Sequence, residues 1–123
     1  MSEAVMRSYY EAYNALDEQA LAGLLAPEIE LVSVMGTQRG REAYLETYRM
    51  MTGLFVDTMT PEAIAVDGNV ATVAIHDSLV AKGDIADFMG QALSAGQELV
   101  LKLHGRYTIV DGRIVRIEIS PAV

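Results

Sequence analysis

Residues 98–120, ELVLKLHGRYTIVDGRIVRIEIS, decide the fold of this chain. Apolar side chains occupy every second position through most of this stretch, which is the pattern of strands with one buried face. The pair Asp111-Gly112 interrupts the alternation, and Asp-Gly between two such runs favours a type I′ turn, in which both central residues need a positive φ. The sequence therefore predicts a long antiparallel hairpin whose apolar face the preceding residues must cover.

Two longer helices are predicted upstream of this hairpin. Residues 5–16 and residues 41–55 each carry apolar side chains at three- and four-residue spacing, which gives each helix one apolar stripe to pack on a flat surface. Between them, Asp17 can cap a short helix, and we expect Pro27 to stop it because the residue before a proline avoids helical geometry. Three helices are therefore expected in the first half of the chain.

The remaining residues show strand patterns. Period-two alternation predicts a strand over residues 29–35, and two more over residues 62–66 and 70–82, joined by a turn at residues 67–69. Residues 83–97 fit either a short helix or an irregular flap. Helices followed by antiparallel strands indicate an α+β fold, with helices on one face of a twisted sheet. Such an arrangement leaves an apolar cavity of the kind that binds small molecules.

The composition is that of one ordinary domain spanning residues 1–123. Its formal net charge of −8 opposes binding to nucleic acid or to an anionic membrane, because both are recognised by clustered Lys and Arg. With no cysteine and only two histidines, we expect no thiolate or multi-histidine metal site and no other cofactor. The sequence shows neither a signal-peptide pattern nor an apolar run of transmembrane length, which predicts a cytoplasmic protein.

Four segments carry a resemblance to a known family. They are RSYYEAYNALDEQALAGLLAPEIELVS near the start, RGREAYLETY in the third predicted helix, and GDIADFMGQALSAGQELVL and DGRIVRI near the end. In this order and spacing they resemble the nuclear transport factor 2-like superfamily, and within it the SnoaL-like polyketide cyclases and ketosteroid isomerases. The resemblance implies one SnoaL-like domain, a cone-shaped roll of a curved, mixed or antiparallel sheet capped by three N-terminal helices. It also implies a pocket inside the cone and a homodimer formed through the outer sheet face.

The resemblance suggests site residues one position at a time. Tyr9 falls where the ketosteroid isomerases place a tyrosine that hydrogen-bonds the substrate oxyanion, and Tyr48 falls where a second tyrosine supports the first. Ser33 and Gly105 stand where those enzymes keep two aspartates, so steroid isomerisation itself is not expected. The polyketide cyclases use an acidic residue near the end of the last strand, where Glu118 is the only carboxylate, but alternation places Glu118 away from the apolar face.

The strand over residues 70–82 holds the most informative candidates. Either alternate set of its side chains is apolar enough to face the core, so alternation does not choose the register. Alignment with the isomerases places Thr72 and His76 inside, where His76 is either a pocket acid or base that titrates near neutral pH, or a neutral core histidine. In the other register Asp77 is the buried carboxylate and the base, with a pKa raised by loss of solvation.

These arguments give two sets of candidate residues. The candidates for catalysis are His76, Tyr9, Tyr48 and Asp77. The candidates for ligand binding are Tyr13, Ser33, Met35, Met51, Thr72, Tyr107 and Ile117. His104 is expected on the outer surface of the sheet. If the first register holds, Val73, Ile75 and Leu79 form an outer face apolar enough to pair with a second subunit.

Three functions stay open on this basis. The first is a cofactor-independent isomerase, dehydratase or cyclase that acts on a small apolar carbonyl or hydroxyl compound. Tyr9, supported by Tyr48, hydrogen-bonds the substrate oxygen, and His76 moves a proton. The second is a non-catalytic binding module for a small apolar ligand, which agrees with the absence of both expected aspartates. The third is a structural dimerisation domain with a filled interior.

Overall fold

The computed structural model describes residues 2–122, which form three helices and eight strands. The helices are α1 (Ser2–Asn14), α2 (Glu18–Gly23) and α3 (Arg41–Leu54). The strands are β1 (Leu25–Ser33), β2 (Gly36–Arg39), β3 (Phe55–Asp67), β4 (Val70–Ala81), β5 (Ile85–Phe88), β6 (Gln91–Leu93), β7 (Glu98–Val110) and β8 (Arg113–Pro121).

Six of the strands form one mixed sheet, in the order β2-β1-β8-β7-β4-β3. Neighbouring strands are antiparallel except β1 and β8, which pair in parallel. The predicted C-terminal hairpin is formed by β7 and β8, and both turn residues have a positive φ, 52° at Asp111 and 76° at Gly112. The α+β class and the sheet capped by three helices are confirmed.

Two predicted strand starts differ from the structure, in both cases because of a proline. Strand β1 begins at Leu25, so Pro27 lies inside a strand, at a point where the pairing with β8 shifts register. Strand β3 begins at Phe55, well before the expected start at residue 62, and the register shifts just after Pro61. Strand β3 is at the edge of the sheet, where a missing N–H donor costs little.

The short strand β2 pairs with the end of β1. In the stretch of residues 83–97, neither the short helix nor the irregular flap is found. Strands β5 and β6 there form a separate two-stranded hairpin.

The buried side chains form two clusters along the inner face of the sheet. The larger cluster is built around tyrosines of α1, α3 and β7, namely Tyr9, Tyr10, Tyr13, Tyr44, Tyr48 and Tyr107. The smaller cluster lies beside the β5–β6 hairpin and contains Phe55, Leu79, Ala81, Phe88 and Leu93. On β4, Ile75 belongs to the larger cluster and Leu79 to the smaller, so Asp77 lies where the two meet.

The second register of β4 is the one the structure adopts. Val73, Ile75 and Leu79 are each no more than 1% exposed, so the expectation that they form an outer face for a second subunit is wrong. Their size explains the outcome, because burying three branched aliphatic side chains removes more apolar area from water than burying Thr72 and His76 would. A homodimer remains a prediction, and these three residues do not support it. None of the helices within residues 2–122 has the length and apolarity needed to cross a membrane.

Candidate functional site

A cavity of about 210 Å³ lies between the sheet and helices α1 and α3, at the junction of the two core clusters. This is large compared with the roughly 30 Å³ that one water molecule occupies in the liquid. The cavity reaches the surface beside Met35 and Met89, whose side chains are 46% and 58% exposed. Its wall is mostly apolar, which is typical of small-molecule sites.

Most of the candidate residues lie along this wall. They are Tyr9, Tyr13, Ser33, Met35, Tyr48, Met51, Asp77, Tyr107 and Ile117. Their roles toward a ligand remain predictions. The positions follow from the period of each element, since α1 and α3 turn their tyrosine stripes toward the sheet and alternate residues of β1, β4, β7 and β8 face the helices.

Two carboxyl groups face each other in the wall. Asp57 of β3 lies opposite Leu79, and Asp77 of β4 lies opposite Met59, so the two aspartates are diagonal neighbours on adjacent antiparallel strands. They are only 6% and 3% exposed. The Tyr13 hydroxyl donates a hydrogen bond to Asp57 Oδ2 at 2.7 Å. The Oδ1 atoms of Asp57 and Asp77 have no hydrogen-bond donor among residues 2–122.

The surroundings of Asp77 favour its neutral form. Burial raises the pKa of Asp77 from its ordinary value of 3.8 to about 9, and neighbouring Asp57 raises it further. No salt bridge joins either aspartate to a basic group in the described part of the chain. At neutral pH the site therefore holds a carboxylic acid beside a second carboxyl group, which is the arrangement of an acid–base pair.

Tyrosine hydroxyls form a second polar group beside the carboxyl pair. Tyr9 and Tyr44 share a short hydrogen bond between their hydroxyls. Tyr48 donates to the Tyr13 backbone carbonyl at 2.8 Å, so the expectation that Tyr48 supports Tyr9 is wrong. The supporting residue is Tyr44, one helical turn earlier on the same stripe. Burial raises the pKa of Tyr9 and Tyr44 well above 10.0, so both stay protonated. One hydroxyl hydrogen is used in the bond between them, and the other can be donated to a ligand oxygen.

His76 does not reach the cavity, contrary to the expected register. It is half-buried on the opposite face of β4, between Thr60 and Lys102 of the neighbouring strands. Thr72 shares that face, and its hydroxyl donates to the Ala65 carbonyl at 3.4 Å. Since successive side chains of a strand point to opposite faces, the same register that buries Asp77 turns both residues outward. The assignment of His76 to catalysis and of Thr72 to ligand binding is therefore wrong on geometric grounds.

The remaining positions suggested by the resemblance have local explanations. Ser33 ends β1, and its hydroxyl accepts a hydrogen bond from the Met35 N–H at 3.2 Å. A Cβ at Gly105 would stand 2.7 Å from Cε1 of Tyr107, so this glycine makes room for the Tyr107 ring. Glu118 pairs with Arg116 at 3.3 Å and is absent from the cavity wall, as strand alternation predicts. His104 is exposed on the outer face, as expected.

Two residues of the site were missed in the sequence. Asp57 lies outside the strand that the sequence predicts, because that strand starts after Pro61, whereas β3 starts at Phe55. Tyr44 was recognised only as part of an apolar stripe. Within residues 2–122 no three His, Asp or Glu side chains are arranged to hold a metal ion, so Asp57 and Asp77 offer two carboxyl ligands without a third.

Comparison with known proteins places this chain in a family. The model of the SnoaL-like domain family matches residues 6–117. No curated protein matches the chain in sequence. Among solved structures, IdmH of Streptomyces antibioticus, a proposed polyketide cyclase, is 22% identical with a TM-score of 0.81, over 97% of this chain and 90% of that one.

Two further solved structures are similar in fold. A proposed polyketide cyclase of Sinorhizobium meliloti is 24% identical with a TM-score of 0.74, over 97% of this chain and 98% of that one. An LEH-like epoxide hydrolase of M. tuberculosis is 16% identical with a TM-score of 0.79, over 98% of this chain and 82% of that one. At these identities the likeness concerns the fold alone.

Proposed function

The chain belongs to the SnoaL-like domain family, and from that premise we propose that it is a cofactor-independent enzyme that moves protons within a small apolar carbonyl or hydroxyl compound. The observation that carries this proposal is the Asp57–Asp77 pair. Two carboxyl groups are buried in the wall of an apolar cavity, each with one oxygen that no donor among the described residues reaches. Packing alone does not call for such a pair, because burying two acidic groups costs free energy.

The two aspartates suit different roles. Asp57, ionised, accepts a proton from the carbon next to the substrate carbonyl, while protonated Asp77 donates its proton to the carbonyl oxygen. The product of this step is a neutral enol, with the proton now on Asp57 and the charge on Asp77. Returning protons at a different carbon completes an isomerisation, and loss of a hydroxyl group as water completes a dehydration. Carbon–carbon bond formation from the enol completes a cyclisation.

The paired tyrosines suit the stabilisation of developing charge. Tyr9 and Tyr44 lie on the cavity wall, and their hydroxyls are held in place by each other. A substrate oxygen that becomes negative can take a hydrogen bond from the pair, and preorganised donors of this kind lower the barrier without moving during the reaction.

The same pairing favours a second candidate, a binding module without chemistry, because the tyrosine hydroxyls are satisfied without a ligand. The structural dimerisation domain has less support, since it called for a filled interior and the structure has a cavity.

Proton exchange into a ketone tests the proposal without knowledge of the natural substrate. A panel of small enolisable ketones is incubated with the protein in D₂O, and loss of the α-proton signal is followed by NMR. We expect Asp57→Asn to slow the exchange by about 10²- to 10⁴-fold, the usual contribution of a general base. His76→Ala, on the outer face, should match the parent. If no ketone exchanges its α-proton, or if Asp57→Asn leaves the exchange rate unchanged, the enzyme hypothesis is rejected and the binding module remains.

A further inference from the structure

The cavity wall contains two buried carboxyl groups that no basic side chain within residues 2–122 pairs with. Neither Asp57 nor Asp77 takes part in a salt bridge within the part of the chain that the structure describes. Lys102 is the basic residue on the described wall, but its ammonium group bonds to Glu62 at 3.2 Å and its side chain is 52% exposed. Buried charges in folded proteins are almost always paired, so the site lacks a positive partner.

The unpartnered atoms point to the kind of group that is missing. Asp57 and Asp77 both line the cavity. Their Oδ1 atoms are buried and have no donor in residues 2–122. A proton shared between the two carboxyl groups would satisfy one of the two Oδ1 atoms and leave one negative charge on the pair. What the pair lacks is a hydrogen-bond donor or a positive charge supplied from the cavity.

Aromatic rings complete the surroundings of the pair. Six of them lie along the wall: Tyr9, Tyr13, Tyr44, Tyr48, Phe88 and Tyr107. The faces of such rings attract alkylammonium groups, and the attraction increases when the cation is removed from water. Rings and a carboxylate around an otherwise apolar space together recognise a cation that is itself covered with methyl groups.

We propose that this cavity binds a small alkylammonium cation, with the charged nitrogen beside the Asp57–Asp77 pair and its alkyl groups against the tyrosine rings. This inference rests on the site of the proposed function and names its ligand class. A substrate of the proposed reaction then carries a basic nitrogen in addition to its carbonyl or hydroxyl group. The net charge of −8 favours the approach of such a ligand and opposes that of an anion.

Equilibrium binding tests the inference without any turnover. Three probes of similar shape are compared by titration calorimetry. They are choline, the neutral alcohol 3,3-dimethylbutan-1-ol, in which carbon replaces the quaternary nitrogen, and the anion 3,3-dimethylbutanoate. We expect choline to bind at least ten-fold more tightly than the neutral alcohol, and the carboxylate not to bind. Equal affinity for choline and the alcohol, or no binding of choline, would overturn the inference even if ketone exchange succeeds.

Variants separate the carboxyl pair from the rest of the surface. The double variant Asp57→Asn, Asp77→Asn keeps the shape of the cavity and removes its charge, so the preference for choline over the alcohol should disappear. Thr72→Ala changes only the outer face and should keep the preference. A double variant that folds, as judged by its circular dichroism spectrum, and still prefers choline would contradict the inference. If the double variant does not fold, Asp57→Asn alone is measured. We then expect its preference for choline over the alcohol to be at least five-fold smaller than that of the parent.

Discussion

Replacing Asp77 with asparagine should change how the stability of the protein depends on pH. Asparagine has nearly the shape of a protonated aspartate but does not ionise. The pKa of Asp77 is raised in the folded protein from 3.8 to about 9, first by burial and then by Asp57. Above pH 3.8 the unfolded chain therefore loses a proton that the folded chain keeps, and the unfolding free energy falls as the pH rises.

The magnitude follows from this linkage. One proton held only by the folded state lowers the unfolding free energy by about 1.4 kcal/mol for each pH unit. Between about pH 5 and about pH 8, the parent should therefore lose up to roughly 4 kcal/mol relative to Asp77→Asn. Other titrating groups contribute to both proteins and largely cancel in the difference. The change in the difference with pH, and not its absolute value, is the quantity predicted.

Urea unfolding of both proteins across this pH range provides the measurement. Glu11→Gln is the matched control, since it makes the same carboxyl-to-amide change on the exposed face of α1 and should keep a constant difference from the parent. A difference between Asp77→Asn and the parent that is constant with pH would refute the argument that Asp77 is buried as a neutral acid. A difference that changes in the opposite direction would mean that Asp77 is stabilised as a carboxylate.

Three further substitutions probe the packing around the site, each by urea unfolding. Gly105→Ala places a Cβ 2.7 Å from the Tyr107 ring and should destabilise the protein by about 1 to 3 kcal/mol, whereas a neutral effect would show that the ring moves freely. Tyr13→Phe removes the hydrogen bond to buried Asp57 and should lower the unfolding free energy by about 1 to 3 kcal/mol. The double variant with Asp57→Asn should lose less stability than the sum of the two single variants, because the two residues interact. Gly112→Ala, at a φ of 76°, should cost about 1 kcal/mol, and no loss would mean that the turn has another conformation.

The sequence was sufficient for features that depend on local patterns. The hairpin of β7 and β8 was predicted because its alternation and its Asp-Gly turn both lie within a few residues of each other. The helices were predicted because their apolar stripes repeat over several turns. Local patterns of this kind are independent of what packs against them.

The sequence was insufficient where two faces of one element were alike. Strand β4 is apolar on both sides, so only its packing against α1 and β3 decides that Asp77 faces inward and His76 outward. The pairing of Asp57 with Asp77 joins two strands in a register that a bulge after Pro61 modifies. The pairing of Tyr9 with Tyr44 depends on how α1 and α3 approach each other. Such relations are tertiary and leave no local mark in the sequence.

The parallel pairing of β1 with β8 has a consequence for how the molecule is made. Leu31 lies beside Ile117, so this contact waits until β8 has been synthesised. Contacts between distant parts of a chain form slowly because a long loop must close first. During synthesis β1 and β7 remain without their shared neighbour, and both expose unsatisfied backbone edges until β8 inserts between them. Assembly of the cavity therefore waits for β8, and removal of residues 113–121 would leave the newly made protein prone to aggregation.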